Sequence, residues 1–355
     1  MRLAIDVMGG DQGPHAIIAG SARAVVEHPG LELILFGPRQ QILAELSRLP
    51  QPLAAATSRL VAYDAPSSVA PDATAAWALR RGQATSMACM LRSVAQGEAV
   101  AGVSAGNTAA LVAMARRELG MIEGISRPAI STAIPARQGQ RCYLLDLGAN
   151  VDSPAHRLVD FALMGAAMAQ CVDGTPVPRI ALLNVGAEAT KGSASVREAD
   201  RQLRDYSGGS DSGGSAFSYH GYAEGGDLFK GQLDVVVCDG FVGNAVLKAS
   251  EGLTSMLVER VQMAFESRLS GRLASLLARP VLKRLKQELD PVRYNGASLL
   301  GLRGIVVKSH GSTHADGFYY AIQRALAEVE HNLPARIAGR WQAPPVQNSG
   351  FASHD

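Results

Sequence analysis

Five apolar runs in this chain end in small polar sets of the kind that hold anions. Ser104-Ala105-Gly106-Asn107-Thr108 follows Ala99 to Val103, and Asp146, Gly148 and Asn150 follow Arg141 to Leu145. The run Ile180 to Asn184 ends in Asn184 to Gly192, containing Glu188 and Lys191, Asp239 to Asn244 follows Leu233 to Cys238, and Ser309 to Thr313 follows Gly304 to Lys308. All but the third lead into a helical pattern. A strand-to-helix turn of this composition offers hydroxyls, carboxamides and unpaired backbone N–H groups at a helix N-terminus, where the partial positive charge favours an anion. The chemistry is that of a phosphate or oxyanion cradle, and the competing reading is plain capping by Asn, Ser, Thr and Asp. Recurrence at successive strand ends favours a shared site. Lys191 beside Gly192 can donate to phosphate or simply be exposed, and Arg80 and Arg81 pose the same choice. His310 can titrate near neutral pH, donate to an anion or cap a helix.

The elements that position these residues alternate in type. Arg2 to Val7 reads as a strand, followed by the turn Met8-Gly9-Gly10-Asp11-Gln12-Gly13 and a helix to Glu27. That turn lacks the G-x-G-x-x-G spacing of a dinucleotide site, while Asp6 and Asp11 are placed to line a cleft. Further strands are expected at Leu31–Phe36 and Leu60–Tyr63, a long helical region at Asp72–Gln96, and a hairpin of Pro128–Ile134 with Arg141–Leu145. A helix is expected from near Ala245, placing Gly243 and Asn244 in the turn before it. Strands separated by helices at this spacing imply a mostly parallel sheet with helices on both faces. Ligands of such sheets bind beyond the carboxyl ends of the strands, so Asp6, Ser104, Asp146, Asp239 and His310 are expected on one cleft.

Composition bounds the rest. The 355 residues are 47% hydrophobic, enough for a large core, and 34 Lys and Arg against 32 Asp and Glu give a net charge of +2, no chain-wide basis for nucleic-acid binding. Cys89, Cys142, Cys171 and Cys238 show no metal-ligand spacing and read as buried hydrophobes of a reducing compartment. Asp6 interrupts the first apolar run and no stretch reaches the ~20 apolar residues of a membrane span, so a soluble cytoplasmic chain is expected. Ser207–Ser215 reads as a flexible loop. From Arg268 to Lys286 there are six basic residues and no acidic one, threaded with leucines. This suits a membrane surface, an acidic protein or a dimer contact, with Pro280 dividing two helices. The chain is expected to form one α/β domain over 1–333, with a projecting amphipathic segment at about 254–290 and a mobile tail over 334–355.

Taken in order, IDVMGGDQGP, SAGNTAAL, LLDLGANVD, LLNVGAEATKG, VVVCDGFVGNAVLKASEG and GIVVKSHGSTHADGF resemble the PlsX family of acyl-[acyl-carrier-protein]:phosphate acyltransferases. The resemblance covers about Met1 to Leu333, with Ala109 where many relatives have glycine and Tyr222 where many have asparagine. It implies transfer of a long-chain acyl group from the thioester of acyl carrier protein to inorganic phosphate, giving an acyl phosphate for phospholipid synthesis. It also implies a three-layer α/β/α sandwich like that of phosphotransacetylases and isopropylmalate dehydrogenases, and a homodimer. A membrane glycerol-3-phosphate acyltransferase would take the product, and the chain would associate peripherally with the inner face of the cell membrane.

That chemistry requires no metal or cofactor. Phosphate, substantially dianionic near pH 7, can attack a thioester directly once positioned and desolvated. Asn244, His310 and Lys191 are the expected catalytic residues, Asn244 or His310 serving an oxyanion hole and His310 able to protonate the thiol. Asp6, Gly9, Gly10, Ser104, Gly106, Asn107, Thr108, Asp146, Asn150, Asp239 and Gly243 are expected to bind phosphate and acyl substrate. Arg272, Leu276, Leu277, Arg279, Leu282, Lys283 and Arg284 are expected to meet the membrane or the carrier. Two rivals remain: a metal- and NAD-dependent dehydrogenase with Asp146, Asp152 and Asp239 on Mg²⁺, and a non-catalytic scaffold that binds carrier protein and lipid.

Overall fold

The computed structural model describes residues 1–208, 217–266 and 291–342. Short apolar runs, most of them buried on both faces, form the strands β1 (Arg2–Asp6), β2 (Glu32–Gly37), β3 (Leu60–Asp64), β4 (Ala101–Ser104), β5 (Ala129–Pro135), β6 (Arg141–Leu145), β7 (Arg179–Leu183), β8 (Ser218–Ala223), β9 (Val235–Val237), β10 (Ala297–Leu300) and β11 (Ile305–Lys308). Around them lie α1 (Gly13–Glu27), α2 (Arg39–Ser47), α3 (Ala75–Arg81), α4 (Ser86–Ala95), α5 (Thr108–Leu119), α6 (Ala155–Asp173), α7 (Ala194–Gly208), α8 (Gly240–Glu266), α9 (Ala315–Glu330) and α10 (Leu333–Gln342).

The strands form one sheet in the order β3-β2-β1-β4-β11-β10-β5-β6-β9-β7-β8. Pairing is parallel from β3 to β11 and from β6 to β8, and antiparallel at β11/β10, β10/β5 and β5/β6. Three successive reversals leave the two parallel halves running in opposite directions. The sheet is mostly parallel as expected, but its carboxyl ends do not share one edge. Asp6, Ser104 and His310 follow strands of one half, and Asp146 and Asp239 follow strands of the other.

Alternate residues of each strand feed different layers. Ala4, Ile34, Val306, Ile130 and Leu144 share one apolar cluster with α4 and α5 across a single face. The opposite face is divided: Leu3, Ile5, Leu33 and Val307 pack with α1 and α9, while Ala133, Tyr143, Val235 and Leu182 pack with α6 and α10. These are the three layers of an α/β/α sandwich.

The β5/β6 hairpin forms as its turn residues suggest. Other boundaries move for local reasons. The 72–96 region is two helices, because Thr85 starts a second one, its hydroxyl accepting from the Ala88 N–H at 3.3 Å. Helix α8 begins at Gly240, with Asp239 accepting from the Phe241 N–H at 2.9 Å, so Asn244 projects from the helix rather than from a turn before it. The tail expected to be mobile from Pro334 opens instead inside helix α10, Leu333–Gln342, which seats Ile337, 1% exposed, against α6. The amphipathic segment beyond Glu266 and the chain after Gln342 lie outside the described residues.

Candidate active site

A cavity of about 460 Å³ lies where the two halves of the sheet meet. Thr108, Asn244, Lys248, Lys308, His310 and Ser312 line it, together with an apolar wall that includes Ile130, Ile134, Leu147 and Leu247. The polar and apolar parts follow from strand register. Ala297 pairs with Lys308 and Ser298 with Ser131, which sets the end of β11 beside Thr132. Strand β5 then runs on through Ile134 to Pro135, about 10 Å farther. The cavity therefore has a cationic, hydrogen-bonding end continued by an oily wall.

Loop packing brings the two sets of strand ends together. A Cβ at Gly9 would lie 2.4 Å from the Gly106 nitrogen, and the Asp11 N–H donates to the Gly311 carbonyl at 2.7 Å, so the loops after β1, β4 and β11 touch through their backbones. In the other half, a Cβ at Gly243 would sit 1.9 Å from the Asp146 carbonyl oxygen. Only glycine admits that approach of α8 to the loop after β6. The sets are joined by Lys248 of α8, whose Nζ lies 2.9 Å from His310 Nε2 and 2.8 Å from Glu251 Oε2.

His310 is fixed on three sides. Its backbone N–H donates to Asn295 Oδ1 at 2.9 Å, its Nδ1 is 2.9 Å from Ser312 Oγ, and its Nε2 faces Lys248. Partial burial and the Lys248 charge lower its pKa below the ordinary histidine value. Nε2 faces the Lys248 ammonium, while Nδ1 meets the Ser312 hydroxyl and accepts from the Ser312 backbone N–H at 3.3 Å. Asn295 also donates to Ser309 Oγ, Thr313 Oγ1 and the Gly317 carbonyl, tying the whole 309–317 segment together.

Among the expected ligands, Thr108, Asn244 and His310 line the cavity. Several others are committed to holding loops. The Asp6 carboxylate, 2% exposed, accepts from Ser86 and Ser104 hydroxyls at 2.6 Å each, and burial raises its pKa. Ser104 Oγ in turn accepts from the Gly106 N–H at 3.0 Å. Asn107 caps α5 through the Ala110 N–H and donates to the Pro71 and Ala73 carbonyls. Asp146 is fully buried, its oxygens accepting from the backbone N–H groups of Ile130, Leu147 and Asn150. The Asn150 amide donates to Asp146 and to the Pro128 carbonyl, and Asp239 caps α8 while holding Ser153. These side chains set the positions of loops and do not line the cavity.

Gly10 and Gly106 serve loop contact, and Lys191, Arg80 and Arg81 are exposed away from the cavity lining. All seven expected membrane or carrier contacts, Arg272 to Arg284, lie outside the described residues. No three His, Cys, Asp or Glu side chains among the described residues gather as a metal-binding group, so Asp146, Asp152 and Asp239 do not assemble the dehydrogenase's ligand set.

Two residues of the cavity carry weak signals in the sequence. Lys308 is the last residue of β11, immediately before the polar set SHGST, and reads there as a strand end. Asn295 stands in an Asn-Gly pair, which reads as an ordinary turn.

Known proteins give a consistent account. A family model described as "Fatty acid synthesis protein" matches residues 1–336. The phosphate acyltransferase of Stutzerimonas stutzeri (strain A1501) is 48% identical, covering 95% of this chain and 91% of that protein. That of Pseudomonas syringae pv. syringae (strain B728a) is 47% identical over 96% of each. Among solved structures, the EutD phosphotransacetylase from Staphylococcus aureus superposes with a TM-score of 0.57 at 15% identity, covering 92% of this chain and 94% of that one. A branched-chain phosphotransacylase from Enterococcus faecalis V583 gives 0.57 at 13% identity, covering 93% and 99%. The structures support the fold alone; the family rests on the sequence matches, and by these the chain belongs to the PlsX family of phosphate acyltransferases, enzymes of acyl transfer in phospholipid synthesis.

Proposed function

We propose that the cavity seats inorganic phosphate at its polar end and the thioester of an acylated carrier protein beside it, with the long acyl chain along the β5 wall. The observation that carries this is the continuity of one cavity from Lys248, Lys308, Asn244 and His310 to Ile130, Ile134, Leu147 and Leu247. An ion and a fatty chain need such opposite surfaces within one bond's reach of each other.

The chemistry is direct. A phosphate oxygen attacks the thioester carbonyl, the carbonyl oxygen takes up negative charge, and collapse breaks the C–S bond to give acyl phosphate and the carrier thiolate. Asn244 donates to the developing oxyanion, and Thr108 with the lysines holds phosphate. His310, neutral at pH 7, acts by hydrogen bonding and by holding Lys248. It need not supply a proton, since a thiol of pKa about 8.5 leaves readily as thiolate. No covalent acyl-enzyme is invoked: burial pushes the Cys142 thiol up to about 12 and raises Cys238 as well, so neither offers a thiolate nucleophile.

The acyl phosphate is reactive and amphiphilic, and its consumer is a membrane glycerol-3-phosphate acyltransferase. Among the described residues no helix is long and apolar enough to cross a membrane. We place the chain in the cytoplasm, touching the membrane peripherally through the segment beyond Glu266. Leu253, Met256, Leu257 and Val261 form an exposed apolar stripe on α8, which supports a homodimer.

The test is incubation with palmitoyl-carrier protein, with and without phosphate and with and without EDTA. Phosphate-dependent thiol release that survives EDTA, with a matching acyl phosphate signal in phosphorus NMR, is expected. Release that ignores phosphate, or none at all, contradicts the proposal.

A further inference from the structure

Two lysines line the polar end of the cavity, and their surroundings differ. Lys248 Nζ is neutralised by Glu251 at 2.8 Å. Lys308 is 9% exposed, and its ammonium donates to two backbone carbonyls, that of Ala105 at 3.3 Å and that of Ser309. No carboxylate among the described residues lies within ion-pair distance of it. Asp11, and less strongly Asp6, are near enough to be felt electrostatically, but neither forms an ion pair with it, and the Asp6 oxygens are already taken by Ser86, Ser104 and the Met8 N–H. A buried ammonium that lacks a counter-ion is costly to keep, and deletion of such a charge is often neutral or stabilising. Lys308 thus lacks its anion while facing a cavity fit for one.

We propose that Lys308 is the residue that seats the attacking phosphate, supplying the unneutralised charge against which the dianion is held for attack. This rests on the phosphate acyltransferase reading of the cavity and names the residue within it. The loop after β4 and the loop after β11 orient the ammonium through their carbonyls, leaving its third N–H for a phosphate oxygen. Asp11 of the loop after β1, Asp6 of β1, Lys248 of α8 and His310 are the titratable groups that face it. Burial is the largest influence and brings Lys308 down to about 8, against the ordinary 10.5. Phosphate is already dianionic there, so its affinity should weaken as pH rises past about 8 and the ammonium is lost.

The experiment compares the full-length wild-type chain with Lys308→Met. In the variant the KM for phosphate should rise about 10- to 100-fold, the scale of a lost charged hydrogen bond, while the KM for acyl-carrier protein changes little. Without phosphate, Lys308→Met should melt at or above the wild-type temperature; added phosphate should raise the melting temperature of wild type and not of the variant. An unchanged KM for phosphate, or a retained phosphate-induced shift, overturns the proposal. A second measurement needs no variant: amine acetylation of wild type by acetic anhydride, read peptide by peptide by mass spectrometry, should show Lys308 protected by phosphate. Equal labelling with and without phosphate also overturns it. Phosphate-dependent thiol release by wild type is measured alongside; its absence would instead remove the acyltransferase reading.

Discussion

Asn244 and His310 both line the cavity, and the chemistry of a carboxamide and of a neutral imidazole predicts separable tasks for them. Asn244→Ala removes an oxyanion donor and should lower kcat by about 10² to 10³ with a smaller change in the KM for phosphate, checked by steady-state thiol release. His310 contributes through its neutral form. Because its folded pKa lies below the ordinary 6.5, the unfolded chain takes up the proton first as pH falls, and stability drops below that value. His310→Gln cannot titrate. Melting curves from pH 5 to 8 should therefore show wild type losing ground to His310→Gln on acidification, whereas parallel curves would contradict the assignment. For Lys308 the window is alkaline. Its folded value of about 8 lies below the unfolded 10.5, so between them the unfolded chain binds more protons and wild-type stability rises with pH relative to Lys308→Met. Side-chain type alone did not reveal which polar residues face the cavity. Ser104, Asn107, Asp146 and Asp239 have the same chemistry as a phosphate ligand and the same chemistry as a cap, and orientation decides between them.

Helix α8 shows how an element carries the site. It brings Lys248 to His310 and Asn244 to the cavity wall, and Gly243 lets it rest on the Asp146 carbonyl. Gly243→Ala should displace the helix, lowering both melting temperature and activity. Gly252, on the same helix, has open space where a Cβ would sit, so Gly252→Ala should stabilise by about 0.5–1 kcal/mol and leave the rate unchanged. Thermal melts of the two variants check the contrast, and destabilisation by both would mean that α8 is held by something other than this contact. Long periodic elements such as α1 and α9, and the β5/β6 hairpin, were legible in the sequence. Shorter ones were not: β10 is four residues, Ala297–Leu300, with no alternation to mark it, and β8 follows a Gly/Ser-rich stretch that masks its start.

At the scale of the whole molecule the consequential feature is the reversal of the sheet, and it turns on that overlooked strand. With β10 unrecognised, every strand end could be placed on one edge; with it in place, two edges face opposite ways and the cavity forms where α8 spans them. The three-layer class survived because it depends on helices covering both faces, which the alternation of elements already carried. The α8 stripe predicts a particle of twice the chain mass in sedimentation equilibrium, and a Leu253→Glu, Leu257→Glu variant should sediment as a monomer. The central claim is that phosphate held in this cavity attacks the carrier thioester itself, and single-turnover thiol release with enzyme in excess over acyl-carrier protein tests it most directly. The account predicts no rapid thiol release without phosphate and a full turnover, rising with phosphate to saturation, when it is present. A stoichiometric burst of thiol in the absence of phosphate would reveal a covalent acyl-enzyme and contradict it.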